Sequence, residues 1–148
     1  MKTPIRSFED LECWQAAREV RLFIFQRVVP LLPKEERFRL TDQLRRASRS
    51  ITANIAEGYG RSHHLENSKF CSIARGSTTE VLDHLISACY EAMIPRSLLD
   101  EGRATTEVDR TLMGGSVGES RDAGVDAVGG QALRGGHLDV GGRESDLS

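Results

Sequence analysis

Residues 40–60 read Leu40-Thr41-Asp42-Gln43-Leu44-Arg45-Arg46-Ala47-Ser48-Arg49-Ser50-Ile51-Thr52-Ala53-Asn54-Ile55-Ala56-Glu57-Gly58-Tyr59-Gly60, and this stretch decides the fold. Leu40, Leu44, Ala47, Ile51 and Ile55 recur at intervals of 4, 3, 4 and 4, which aligns them on one face of an α-helix. Thr41 is the expected N-cap. Gly58 and Gly60, on either side of Tyr59, supply a C-terminal stop, because glycine readily takes the left-handed cap conformation. The spacing predicts a helix over 41–58.

The same periodicity extends both ways. Upstream, Ser7 is an N-cap candidate, with Glu9 and Asp10 in the first turn where acids favour the helix dipole. Phe8, Leu11, Trp14, Arg18, Leu22, Phe25 and Val29 follow at helical spacing, with Ala17, Val20 and Ile24 widening the stripe. Pro30 and Pro33 stop this first helix, predicted over 8–29. Trp14 and Phe25 are assigned to the core. One short turn is predicted around 33–37. Downstream, a third helix begins at Ser62 or His63 and runs through Phe70, Ile73/Ala74, Ser77, Val81, Leu85, Ala88 and Ala92 to Pro95. Its Ala74, Gly76 and Ser77 suit a close helix–helix approach. A fourth, weaker helix is capped by Ser97, carries a thin apolar edge of Leu98, Thr105, Val108 and Leu112, and is expected to end at Gly114-Gly115. No period-two strand pattern and no internal repeat is present. Long helices on short connections make antiparallel neighbours. The fold class is therefore all-α, an up-down antiparallel four-helix bundle with a short or degenerate fourth helix.

The composition changes sharply along the chain. All eight aromatic residues lie in residues 1–90, whereas 11 of 14 glycines lie in residues 95–148. Residues 1–94 carry 14 basic and 12 acidic groups, net +2, and residues 95–148 carry 6 and 10, net −4. A segment without aromatics and rich in glycine buries too little to offset its ordering entropy. The expected organisation is a helical domain over 5–113 and a disordered Gly-rich tail over 114–148. The net charge of −2 over 148 residues argues against a polybasic nucleic-acid coat or membrane binder. The longest apolar run, Leu22–Phe25, is far short of the roughly 20 residues that span a bilayer. With no secretory leader pattern, and with Cys13, Cys71 and Cys89 odd in number and widely spaced, a cytoplasmic protein with reduced thiols is expected.

Beside the apolar face of residues 40–60 runs a polar stripe: Gln43, Arg46, Ser50, Asn54 and Glu57, spaced 3, 4, 4 and 3. Groups so placed are expected to be half buried and to need partners. Glu80 on the third helix is the expected partner of Arg46 or Asn54. This stripe reads first as a structural network that fixes register or a subunit contact. Arg37, Arg39, Arg45, Arg49 and Arg61 are candidate nucleic-acid contacts, since guanidinium takes phosphate in bidentate fashion. Glu35, Glu36, Asp42 and Glu57 lie among them, which equally suits a solvated mixed-charge face. No nucleophile–base pair or metal-ligand spacing is present. His63 and His64 are adjacent where a helical metal pair would sit at i, i+4, and Gly58-Tyr59-Gly60 follows a helix and lacks the lysine of a phosphate loop. No catalytic residue, cofactor or metal is expected.

The strings Leu44-Arg45-Arg46-Ala47, Ser50-Ile51 and Asn54-Ile55-Ala56-Glu57-Gly58-Tyr59-Gly60-Arg61 resemble the bacterial four helix bundle protein family, also called the 23S rRNA intervening-sequence protein family. The opening Phe8-Glu9-Asp10-Leu11-Glu12-Cys13-Trp14 and the third helix from Phe70 to Glu80 with Leu85-Ile86 are similar to it too, so the resemblance covers residues 6–94. It implies an up-down bundle that assembles as a homopentamer. One branch resembles the accessory variability determinant of diversity-generating retroelements, an RNA-binding partner of a reverse transcriptase. Thr52 stands where that family usually has proline, a change expected to be harmless, and Arg49 stands where a small or apolar residue is usual and is expected to face solvent. The resemblance fades around Leu112-Met113, as a reading-frame shift near codon 113 or genuine divergence would produce. Two functions follow as expectations. The first is a non-enzymatic homo-oligomer that binds a partner, and the second a nucleic-acid-binding accessory protein acting through the Arg37–Arg61 surface on RNA, DNA or a reverse transcriptase.

Overall fold

The computed structural model describes residues 4–61 and 64–119. The expected helix start at Ser62 or His63 and the tail beyond Glu119 lie outside these residues. Four α-helices make up the described chain, with no strand among its residues: α1 (Glu12–Phe23), α2 (Leu40–Gly60), α3 (His64–Tyr90) and α4 (Arg96–Glu119).

The first helical region is not one continuous element. Ser7 caps a 3-10 turn, Phe8–Asp10: its hydroxyl accepts from the Glu9 N–H at 3.3 Å, and the Asp10 carboxylate accepts from the Ser7 N–H at 3.1 Å. With those donors satisfied locally the chain turns extended at Leu11 before α1 begins. After Phe23 one wider turn, Ile24–Val28, has π geometry, with the Val29 N–H reaching back to the Ile24 carbonyl. Both Ile24 and Val28 are fully buried through it. Pro30, which has no N–H, ends the regular ladder in a last 3-10 turn, Val29–Leu31. The short turn expected around 33–37 forms at Lys34–Glu36.

Helix α2 buries the five predicted residues Leu40, Leu44, Ala47, Ile51 and Ile55. Its N-terminus is capped differently from the expectation. Thr41 lies buried in the first turn, and the Glu36 carboxylate accepts from the Leu40 N–H at 3.1 Å instead. The C-terminal glycines also act differently. Arg61 leaves the helix in extended conformation, so no left-handed glycine cap forms, and Gly58 serves packing. A Cβ there would stand 2.7 Å from Asn67 Oδ1 and 3.0 Å from Phe70 Cβ. Gly76, expected at a helix contact, faces open space, while Ala74 and Ser77 are buried.

Helix α3 ends at Tyr90, short of the predicted Pro95. The Met93 N–H donates to the Ala88 carbonyl at 2.8 Å and the Ala92 N–H to the Cys89 carbonyl at 3.1 Å, closing a Schellman motif. Ala92 occupies its left-handed position with φ 58°.

Side-chain contacts fix the topology. Arg21 meets Thr52 and Ser50 meets Ser77, while Gly58 packs on Phe70 farther along. Thr78 meets Asp109, and Gly102 packs against both Leu85 and Phe23. Each neighbour therefore runs antiparallel to the next, and α4 closes the ring between α3 and α1. Helix α4 departs most from expectation. It spans 24 residues and passes through Gly114-Gly115 to Glu119, so it is neither short nor ended there. Its inner face is Leu98, Leu99, Gly102, Thr106, Asp109 and Met113, all buried, whereas the predicted edge residue Val108 is 57% exposed. Each large apolar side chain on that face contributes about 1.5–3 kcal/mol on full burial.

Candidate functional site

The predicted polar stripe divides into two parts. Its middle is a bonded cluster between α2 and α3: Ser50 Oγ lies 2.9 Å from Ser77 Oγ, and Asn54 Nδ2 donates to the Ser50 carbonyl at 2.8 Å and to Ser50 Oγ at 3.0 Å. Its ends are in water. Gln43 is exposed. Arg46, with its side chain 78% exposed, pairs with Asp42 at 3.1 Å, and Glu57 pairs with Arg61 at 2.9 Å. Glu80 meets His84 at 3.2 Å and reaches neither Arg46 nor Asn54. The expected Glu80 partnership is thus replaced by a contact one turn along its own helix.

The candidate nucleic-acid contacts divide as well. Arg61 sits about 18 Å along α2 from Arg49, at 1.5 Å per residue, so the two cannot share one small anion. It is engaged by Glu57, whose hydrogen bond raises the Arg61 pKa above its ordinary value, and it covers the Phe70 ring at 5.5 Å. Arg37 lies 5.2 Å over the Phe38 ring, and Arg39 immediately precedes α2; both are exposed. Arg45 and Arg49 are exposed on α2, one turn apart.

The structure adds a residue that the sequence reading passed over. Arg21 on α1 donates from Nη1 to Thr52 Oγ1 at 3.3 Å and lies 5.6 Å over the Phe25 ring. Arg49 lies 5.5 Å over the same ring. Phe25 is therefore a half-buried ring in contact with two guanidiniums, one from α1 and one from α2, and lies outside the core in which it was expected. Cation–π contacts of this kind contribute about 0.5–1 kcal/mol at exposed sites. Trp14, partly buried against the core, packs edge-on to Phe8 at 5.3 Å, with Arg18 over its ring at 5.9 Å. Thr52 is far from incidental: it is buried, donates to the Arg49 carbonyl at 3.1 Å and accepts from Arg21. The signal for Arg21 was present in Trp14, Arg18, Arg21 and Phe25, spaced 4, 3 and 4 on one helical stripe.

Arg21, Arg45 and Arg49 pair with no carboxylate among the described residues. The same is true of Arg6, Arg37, Arg39, Arg75 and Arg103, whereas Arg18, Arg27, Arg46, Arg61, Arg96 and Arg110 each have one. The α1–α2 face thus carries guanidiniums in excess of acid, beside a half-buried aromatic ring. Such a face can take an anion.

The family model of the 23S rRNA-intervening sequence protein matches residues 9–113. The chain belongs to that family. The match to the 23S rRNA-intervening sequence protein family covers the π turn, both seams of α2 and the buried residues of α4 from Leu98 to Met113. No curated protein gives a significant match to the chain. Among the described residues, no helix is long and apolar enough to cross a membrane.

Proposed function

We propose that this member of the 23S rRNA-intervening sequence protein family is a non-enzymatic cytoplasmic bundle that assembles with copies of itself and acts by binding an anionic partner on its α1–α2 face. The observation that carries the reading is that Arg21 and Arg49, neither with a carboxylate partner among the described residues, both lie over the Phe25 ring, with Arg45 one turn along α2 and likewise without such a partner. The homopentamer implied by the family resemblance is the expected assembly. In support, Phe38, 83% exposed, precedes α2 and Tyr90, 81% exposed, ends α3, so both stand at the same end of the antiparallel bundle.

Nucleic acid is the second reading, as an accessory factor of a reverse transcriptase, and the same arginines favour it. Residues 1–94 are only faintly basic at net +2, so affinity has to come from a local face. The experiment is fluorescence anisotropy of the full chain with a labelled single-stranded RNA across a salt series, beside light scattering for the oligomer. Arg45→Ala is expected to weaken binding and to lower the salt slope by about 1. Arg46→Ala, which removes an arginine already held by Asp42, is expected to leave binding unchanged. Equal effects of the two substitutions would remove the α1–α2 face from consideration, and a monomer in light scattering would remove self-assembly.

A further inference from the structure

A second polar arrangement lies inside the bundle, away from the arginine face. Asp109 is 0% exposed in the seam between α3 and α4. Thr78 Oγ1 stands 2.6 Å from Asp109 Oδ2 and 3.1 Å from the Ala74 carbonyl oxygen. A hydroxyl has one proton, so it cannot donate to both. If the carboxyl is neutral, its own O–H donates to Thr78 Oγ1, the Thr78 proton goes to the Ala74 carbonyl, and both hydrogens are used. If the carboxyl is ionised, Thr78 serves either the carboxylate or Ala74, and the other loses its donor. Asp109 Oδ1 has no partner among the described residues. That is tolerable for the carbonyl oxygen of a neutral acid and costly for an oxygen that shares a negative charge.

Among the described residues no arginine or lysine is buried, and none pairs with Asp109. The other buried titratable side chains among the described residues are the thiols of Cys13 on α1 and Cys71 on α3, and the largely buried His84 imidazole, six residues from Thr78 on α3, meets Glu80 at 3.2 Å. The charged residues Glu12 and Glu19 on α1, Arg75 on α3 and Arg110 on α4 are all exposed, and Arg110 is held by Glu107. Desolvation accordingly pushes the Asp109 pKa up to about 6, with the Thr78 hydrogen bond acting the other way.

We propose that Asp109 is a proton-operated latch for α4: with the proton in place the carboxyl–Thr78–Ala74 relay locks the helix to α3, and without it the C-terminal half of α4 comes loose. Loosening is confined to α4 because the Ser50–Asn54–Ser77 cluster that joins α2 to α3 contains no titratable group.

Amide hydrogen exchange of the full chain, corrected for intrinsic chemistry, tests this at about pH 5 and about pH 7.5. The expected result is that peptides of α4 lose about tenfold or more of their protection at the higher pH while peptides of α2 keep theirs. Asp109→Asn, uncharged at both pH values, is expected to remove the difference. Equal protection of α4 at both pH values, a uniform loss over all four helices, or a pH response that survives in Asp109→Asn would each overturn the proposal. Should that variant fail to fold, carboxyl carbon NMR of the unsubstituted protein decides: a midpoint for Asp109 near 6 supports the latch, and one in the ordinary aspartate range overturns it.

Discussion

Gly58 on α2 lies so close to Phe70 on α3 that a Cβ on the glycine would stand 3.0 Å from the Phe70 Cβ. This approach lets α2 and α3 pack along their whole length, with the Ser50–Ser77 contact 2.9 Å long two turns away. A second glycine does the same for α4, where a Cβ on Gly102 would come within 2.6 Å of Leu85 Cδ1 and 3.2 Å of Phe23 Cε1.

Three glycine substitutions therefore have opposite expected outcomes. Gly76→Ala meets nothing within 4 Å, and its better helix propensity should stabilise the protein by about 1 kcal/mol. Gly58→Ala and Gly102→Ala have the same propensity gain but overpack a tight seam, which costs roughly 1–3 kcal/mol, so both are expected to be destabilising on balance. Thermal denaturation monitored at the helical circular-dichroism band separates them. A rise in melting temperature for Gly102→Ala would show that the seam relaxes freely.

Ala92 should be improved by losing its methyl group. It holds φ 58° at the left-handed position of the α3 cap, a conformation that burdens an L-residue by about 1–2 kcal/mol and glycine hardly at all. Allowing for the greater freedom of glycine in the unfolded chain, Ala92→Gly should gain about 0.5–1 kcal/mol. The melting temperature should rise by about 2–5 °C. No rise would mean that the turn is held by Met93 and Ile94 rather than by its backbone geometry.

Glu57→Ala is expected to change stability by no more than about 0.5 kcal/mol, because its pair with Arg61 is half exposed. Ser50→Ala removes both the Ser77 contact and an acceptor of Asn54, and should cost about 1 kcal/mol. Urea denaturation of the two variants orders them. The reverse order would restore Glu57 to the buried position that its place in the sequence stripe suggested.

Asp109 makes stability fall as pH rises. Its folded-state pKa of about 6 is above the ordinary value of 3.8, so the folded form holds the proton more tightly. The contribution is complete below about pH 4 and is lost as pH climbs through about 6, for a total of roughly 2–3 kcal/mol. Asp109→Asn should therefore gain on the parent protein progressively over that window in urea denaturation. A constant offset between the two would mean that Asp109 titrates alike in both states.

Periodic burial was legible in the sequence wherever the buried residues are also apolar. Leu40, Leu44, Ala47, Ile51 and Ile55 stand at helical spacing, and no packing detail was needed to see that they share a face. Ser7 was legible as a cap because its partner, Asp10, is three residues away. The same reading went astray on α4, where the inner face is partly Gly102, Thr106 and Asp109. Small and polar residues give no hydrophobic period, so Val108 was placed inward although it is exposed. Gly114 and Gly115 weaken a helix by about 1 kcal/mol each but do not forbid it.

By itself the sequence determined four helices, their order, their antiparallel succession and the apolar face of α2, because a 3.6-residue period and chain breakers act locally. Only the tertiary structure decided which polar groups are buried and whom they meet. Gln43, Arg46, Ser50, Asn54 and Glu57 occupy equivalent angular positions on α2, yet Ser50 and Asn54 alone join the bonded cluster facing Ser77. Arg21 reaches Thr52, and Thr78 reaches Asp109, across 31 residues of chain in each case. Burial beside a helix depends on where the neighbouring helix lies and how closely it approaches, and that distance is set by contacts such as Gly58 on Phe70, between residues far apart in the chain.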